Sequence, residues 1–132
     1  MADTSLAKKL LIKPGYKVLL LNAPQGYREL LNHLPEGVTI SEKADGEYDV
    51  VQLFTPQKTD LEANAQAAMQ AVKKGGLLWI AYPKQTGKIK SDLNRDIGNA
   101  IVAEMGWQGV AMISIDGTWS AMRFRPANEV GK

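Results

Sequence analysis

The feature that most constrains this chain is a pair of short segments, 17–22 and 77–82, whose interior positions are all apolar. Strands of a half-exposed sheet alternate between apolar and polar residues, whereas strands buried on both faces are continuously apolar. Segments with helical periodicity separate these strands from each other. The pattern therefore predicts a three-layer α/β sandwich, in which a mostly parallel sheet lies between helices.

Local signals mark the ends of the predicted helices. Thr59 and Glu62 have capping-box spacing, so their side chains would bond to free N–H groups at a helix start. Lys73, Lys74 and Gly75 would close that helix with positive charge and a glycine in the left-handed conformation. Other helices are predicted before Pro14, from Pro24 to Leu34 and from Ser91 to Met105, with further strands at 38–40 and 48–54.

The dipeptide Asp116-Gly117 lies between two apolar segments, 110–115 and 118–125, and predicts an antiparallel hairpin. A two-residue turn would place Ser114 opposite Trp119 and Val110 opposite Arg123. With this C-terminal hairpin, the sheet is expected to have strand order 2-1-3-4-6-5, with its last strand antiparallel. Residues 1–126 are expected to form one domain, and residues 127–132 a flexible tail.

Composition excludes several classes of site. The chain has no cysteine and one histidine, His33, which excludes a disulfide framework, a thiol nucleophile and a histidine-rich metal site. The net charge of +2 does not favour a nucleic-acid partner. No apolar segment has the roughly 20 residues of a membrane span, and the first residues lack the pattern of a signal peptide. A cytoplasmic location is therefore expected, and the oligomeric state is left open.

A ligand is expected at the carboxyl edge of the sheet, where segments 22–27, 55–58 and 82–91 should meet. Three lysines precede the predicted helix start at Ser91, and a helix start favours a bound anion. The alternative is a solvated lysine loop whose charge Asp92 and Asp96 partly neutralise. The predicted ligand-binding residues are Asn22, Gln25, Tyr82, Lys84, Lys88, Lys90, Ser91, Arg95, Trp119 and Arg123.

The turn at 22–27 differs from that of a dinucleotide fold. Only Gly26 is a glycine, and Pro24 lacks an N–H, so a standard pyrophosphate loop is absent. Glu42 lies some 20 residues after this turn, at the position of an acid that binds ribose hydroxyls. It has a second interpretation, as an ordinary surface acid.

Several stretches resemble class I S-adenosylmethionine-dependent methyltransferases. Residues 13–20 (KPGYKVLL) are similar to their lead-in to the first strand, and residues 48–51 (YDVV) and 72–78 (VKKGGLL) are similar to later core strands. The resemblance implies a truncated Rossmann-like fold, since one strand–helix unit is missing between residues 41 and 48. The sequence NAPQG, at 22–26, stands in place of the family's glycine-rich cofactor loop.

The chain also resembles a bacterial family of similar length known as a domain of unknown function. The matching stretches are 21–24 (LNAP), 82–84 (YPK), 90–95 (KSDLNR), Asp116 and 119–124 (WSAMRF). This resemblance implies a small Rossmann-like bacterial protein and supplies no reaction.

Three functions follow from these observations. The leading hypothesis is a non-enzymatic ligand-binding or interaction domain that holds an anionic small molecule and uses no cofactor. The first alternative is a diverged S-adenosylmethionine-dependent methyltransferase, with Asn22, Gln25 and Glu42 as cofactor contacts. The second alternative is a protein that assembles with a partner through an exposed apolar patch.

Overall fold

The computed structural model describes residues 6–31, 34–43, 45–84 and 89–129. The helices are α1 (Leu6–Lys9), α2 (Tyr27–Leu30), α3 (Lys58–Ala71) and α4 (Arg95–Glu104), followed by a 3₁₀ turn at Ala127–Glu129. The strands are β1 (Lys17–Leu21), β2 (Thr39–Ser41), β3 (Tyr48–Phe54), β4 (Val72–Pro83), β5 (Trp107–Ser114) and β6 (Trp119–Pro126). Residues 130–132 of the predicted tail lie outside the described residues.

The strands form one sheet in the order β2-β1-β3-β4-β6-β5. β1 is parallel to β2 and β3, and β3 is parallel to β4. β6 is antiparallel to both β4 and β5. The predicted order and the antiparallel end of the sheet are therefore confirmed, as is the three-layer α/β fold.

Successive residues of the central strands pack into two different layers of the core. On β3, Val51 and Leu53 pack with α3 and with Val102 of α4. Val50 and Phe54, on the opposite face, pack with residues of α1 and with Tyr27 of α2. Each fully buried aliphatic side chain stabilises the fold by about 1.5–3 kcal/mol. Burial on both faces explains why these strands are continuously apolar.

The predicted ends of α3 are wrong at both termini. α3 begins at Lys58, and the Asp60 carboxylate accepts a hydrogen bond from the Gln57 N–H at 2.9 Å. At its other end the chain passes directly into β4 at Val72. Lys73 therefore lies on a strand and forms an ion pair with Asp49 at 2.5 Å. The carboxylate on the neighbouring strand β3 gives this lysine a closer partner than the helix dipole.

The predicted start of α4 at Ser91 is also wrong. The N-cap is Asn94, whose side chain accepts a hydrogen bond from the Ile97 N–H at 2.9 Å. Ser91 instead donates from Oγ to the Pro56 carbonyl at 2.6 Å and accepts from the Leu93 N–H at 3.0 Å. Its hydroxyl therefore joins two loops of the carboxyl edge.

The hairpin has a longer loop than a two-residue turn, and its register is shifted by one residue. Ser114 lies opposite Ser120, and Ala111 lies opposite Arg123. The Asp116 carboxylate accepts hydrogen bonds from the N–H groups of Thr118 and Trp119, both at 2.8 Å. These two bonds stabilise the wider loop, and so the predicted pairs are wrong by one position.

Candidate functional site

The carboxyl ends of β1 and β3 meet at the turn formed by residues 22–27, called here the β1 turn. Asn22 adopts the left-handed conformation with φ 60°, which asparagine tolerates better than most residues. Its Nδ2 donates a hydrogen bond to the Phe54 carbonyl at 3.1 Å. The start of the turn is therefore attached to the end of β3.

Tyr27, at the end of the β1 turn, lies in the core beneath it. Its ring packs edge-on against Phe54, with ring centroids 4.6 Å apart. Its hydroxyl donates a short hydrogen bond to Oε1 of Gln52 on β3. Burial, followed by the negative charge of Asp116, raises the pKa of Tyr27 above its usual value despite the hydrogen bond to Gln52. The hydroxyl therefore stays protonated and remains a donor.

The β1 cavity, of about 240 Å³, lies beside this turn and is lined by residues 23–29 and Glu42. Arg28 Nη1 and Glu42 Oε2 form an ion pair at 3.2 Å, with both side chains more than half exposed. Gly26 has φ +86°, and a Cβ built on it would meet no atom within 4 Å. The cavity thus combines an exposed carboxylate with an open stretch of backbone.

The β4 cavity, of about 390 Å³, lies where β4 ends near the start of α4 and the hairpin. Lys84 Nζ donates to Ser114 Oγ at 2.6 Å, and Arg95 Nε lies 3.5 Å from Asp96 Oδ1. Burial raises the pKa of Tyr82, and its hydroxyl contacts Met112 Sδ at 3.0 Å. The lining residues are Tyr82, Pro83, Lys84, Asn94, Arg95, Asp96, Met112 and Ser120.

The structure divides the predicted ligand-binding residues among several places. Gln25 lines the β1 cavity, which Asn22 adjoins, and the β4 cavity brings together Tyr82, Lys84 and Arg95. Lys88 lies outside the described residues. The other four are separate from both linings, namely Lys90, Ser91, Trp119 and Arg123.

Ser91 joins two loops through its hydroxyl, as described above, and the other three have the following surroundings. Lys90 is exposed, and its carbonyl accepts a hydrogen bond from Gln57 Nε2 at 2.8 Å. Trp119 is only 6% exposed and packs against Phe54, with ring centroids 5.2 Å apart. Arg123 lies directly opposite Trp79 where β6 runs antiparallel to β4. Within the described residues, the lining of the β4 cavity thus includes Lys84 and Arg95 but neither Trp119 nor Arg123.

Sequence reasoning missed Gln52 and Arg28 as parts of the carboxyl edge. Gln52 is the single polar residue in the otherwise apolar segment 50–54, and a buried amide there is unusual enough to serve as a signal. Arg28 had no such signal, because its partner Glu42 belongs to a different strand–loop unit.

The described parts of the chain contain no group of acidic or histidine side chains arranged to bind a metal ion. Within the same ranges, no helix has the length and apolar character that a bilayer span requires.

No family model matches the chain, and no curated protein matches its sequence. Solved structures with a similar fold include DhpI in complex with S-adenosylhomocysteine, with 14% identity and a TM-score of 0.60 over 93% of this chain and 82% of that chain. A ribosomal protein L11 methylase from Lactobacillus delbrueckii has 11% identity and a TM-score of 0.58, over 90% of this chain and 73% of that one. Magnesium protoporphyrin IX methyltransferase from Synechocystis PCC 6803 with bound S-adenosylhomocysteine has 10% identity and a TM-score of 0.53, over 84% and 74%.

These similarities establish a Rossmann-like, methyltransferase-like fold. They give no support to the resemblance to a family of unknown function. The predicted anionic small-molecule partner is wrong, because neighbours with this fold hold an adenosyl nucleoside compound instead. The physical reason lies in the start of α4, which is capped by Asn94 instead of Ser91 and has the Asp96 carboxylate in its first turn, paired with Arg95.

Proposed function

We propose that this chain binds the nucleoside part of S-adenosylmethionine or S-adenosylhomocysteine in the β1 cavity, as a diverged methyltransferase. The observation that carries the proposal is the position of Glu42, whose carboxylate lines a cavity formed by the β1 turn. A carboxylate after the second strand is the group that accepts hydrogen bonds from the ribose hydroxyls in folds of this kind. The structural neighbours that contain S-adenosylhomocysteine support the same ligand class.

The residues of the β1 cavity fit a nucleoside. Glu42 is more than half exposed, so its carboxylate is accessible to ribose hydroxyls. Gly26 leaves open space on the side where a Cβ would project, which permits close approach of a ligand to the backbone. Asn22 fixes the start of the turn through its bond to Phe54.

The same cavity offers less to the amino-acid end of the cofactor. Pro24 lacks the N–H that a phosphate- or carboxylate-binding turn would use. α2 has only four residues, so few free N–H groups are aligned at its start. The volume of about 240 Å³ is also below the ~300 Å³ at which pockets for drug-sized ligands begin. We therefore expect most of the binding energy to come from the nucleoside.

When bound, S-adenosylmethionine supplies an activated methyl group carried on a sulfonium sulfur. The chain's own contribution at this site is to bind and orient the ribose through Glu42. The β1 turn, attached to β3 by Asn22, forms the wall against which the nucleoside packs.

Isothermal titration calorimetry of the full chain with S-adenosylhomocysteine tests the proposal. We expect measurable binding, with 5′-methylthioadenosine binding within about threefold as tightly because the amino-acid end is weakly held. Glu42→Ala should weaken both ligands at least tenfold. Glu62→Ala, an exposed acid on α3, is the matched control and should change neither. No binding at millimolar ligand, or an unchanged affinity in Glu42→Ala, would contradict the proposal.

A further inference from the structure

A buried amide lies beneath the proposed nucleoside site. Gln52 is only 2% exposed, at the centre of β3, and its neighbours Val50, Val51 and Leu53 are fully buried apolar residues. Among the described residues, its Nε2 has no hydrogen-bond partner. An unpaired amide in a core destabilises the fold, whereas an aliphatic side chain of the same length would fill the space without that penalty.

The amide's described partner belongs to the β1 turn. Oε1 of Gln52 accepts the hydrogen bond from the Tyr27 hydroxyl, and both residues are at least nine-tenths buried. Asn22, at the other end of the turn, donates to the carbonyl of Phe54. β3 therefore holds the turn at both ends, through acceptors on residues 52 and 54. Gln25 and Gly26, which line the cavity, lie between these two attachments.

We infer that Tyr27 and Gln52 are positioning residues, whose hydrogen bond fixes the β1 turn in the conformation that accepts the nucleoside. The inference rests on the proposed function, because it concerns the same cavity. The β1 turn has one glycine and no long helix behind it, so contacts with β3 must fix its shape. A polar residue that violates the apolar pattern of a core strand is expected where it serves a site.

A purely structural role for the pair makes a different prediction. The ring of Tyr27 packs against Phe54, and a phenylalanine at position 27 would retain that contact. A methionine at position 52 would fill the space of the glutamine without an unpaired amide. The double variant Tyr27→Phe/Gln52→Met should therefore fold at least as stably as the wild type. Only the positioning of the turn would be lost.

The experiment compares the wild type, this double variant and Val102→Ala, with full-length protein throughout. Val102 is fully buried on α4, in the core layer on the other face of the sheet from Tyr27. For each protein we measure the melting temperature, the Kd for S-adenosylhomocysteine, and the backbone ¹⁵N relaxation of Gln25 and Gly26 without ligand.

We expect the double variant to melt no lower than the wild type, to bind at least fivefold more weakly, and to show greater mobility at Gln25 and Gly26. Val102→Ala should melt lower, because it leaves a cavity in the opposite core layer, but bind within twofold of the wild type at a temperature where it is folded. The inference would be overturned if the double variant had the same affinity and the same relaxation as the wild type. It would also be overturned if both variants lost affinity in proportion to the drop in their melting temperatures. A wild type that binds no ligand would contradict the proposed function alone, and unchanged relaxation in the double variant would contradict the positioning role.

Discussion

The two cavities at the carboxyl edge use polar groups in opposite ways. In the β1 half, the polar groups of Asn22 and Tyr27 reach inwards to β3 and fix the turn, while Glu42 stays exposed at the cavity. In the β4 half, the cations Lys84 and Arg95 contact Ser114 and Asp96 at the surface. The β4 cavity is the larger of the two, and the lysines of segment 82–91 are the reason why the sequence predicted an anion site beside it.

If the nucleoside binds in the β1 cavity as proposed, a cluster of cations in the sequence is a poor guide to the binding site. A side chain contributes to ligand binding when the fold positions it and leaves its polar atoms available. The following changes test this distinction between the two halves, from the largest expected effect to the smallest.

Gly109→Ala should disrupt the packing between α4 and the C-terminal hairpin, with the largest loss of stability. A Cβ at this position would lie 2.5 Å from Met122 Sδ and 2.7 Å from Asn99 Oδ1, between β5 and α4. We expect a loss of about 2 kcal/mol in the free energy of unfolding. Urea denaturation measures the loss, and Gly117→Ala, where a Cβ meets nothing within 4 Å, is the matched control. Equal stability of the two variants would show that α4 can move away from β5.

Asp49→Asn acts at the opposite, amino edge of the sheet and separates loss of stability from loss of binding. Partial desolvation raises the pKa of Asp49, but hydrogen bonds from Lys73 and the Lys17 N–H together hold it below its usual value. We expect the variant to lose about 1 kcal/mol at pH 7, measured by denaturation, with no change in ligand affinity.

The pH dependence of this loss has a definite sign. A lowered pKa in the folded state stabilises the protein above the unfolded pKa of about 4, and this contribution disappears as the pH falls through the folded pKa. The difference in stability between wild type and Asp49→Asn should therefore be largest at neutral pH and shrink below pH ~4. A difference that grows in acid would contradict the assignment.

Arg28→Gln should increase ligand affinity at the β1 cavity, because it removes the ion-pair partner of Glu42. Exposed ion pairs contribute at most about 1 kcal/mol, so we expect a two- to threefold gain in affinity for S-adenosylhomocysteine. Salt should raise the affinity of the wild type and leave that of the variant unchanged, because it screens the Arg28–Glu42 pair. Calorimetry at two salt concentrations measures both effects, with Lys43→Gln as the control. Weaker binding by Arg28→Gln would mean that the arginine itself contacts the ligand.

The double variant Lys84→Ala/Arg95→Ala should have the smallest effect. If the nucleoside binds in the β1 half, its Kd should stay within twofold of the wild-type value. The melting temperature should change little, since both side chains make only surface contacts. A tenfold loss of affinity would indicate that the ligand binds in the β4 cavity and would contradict binding in the β1 cavity.

The fold was predictable because its main determinants are local. Segment 17–22 is apolar on both faces of β1, and segment 110–125 carries a turn between two apolar stretches. Those patterns were sufficient for the class of fold and the hairpin, and the order of the strands followed from the expectation of a Rossmann-like sheet. The register of the hairpin was not predictable, because the side chain of Asp116 stabilises a loop longer than the two-residue turn.

The candidate site was predictable only in part. The position of Glu42 after β2, and of Asn22 and Gln25 after β1, followed from the rule that ligands bind at carboxyl ends of parallel strands. The roles of Ser91 and Gln52 did not follow, because their partners lie far away in the chain. Ser91 bonds to Pro56 across 35 positions, and Gln52 bonds to Tyr27 across 25 positions.

The sequence by itself determined which segments are buried, since burial of apolar side chains is the dominant force in folding and leaves a periodic trace. Only the tertiary structure decided which polar groups satisfy one another and which remain available at an edge. A hydrogen bond depends on distances of a few tenths of an ångström and on angle, and no pattern along the chain records them. For this reason the sequence did not reveal that Lys84, near the end of β4, bonds to Ser114, or that Tyr27, beneath the β1 turn, bonds to Gln52.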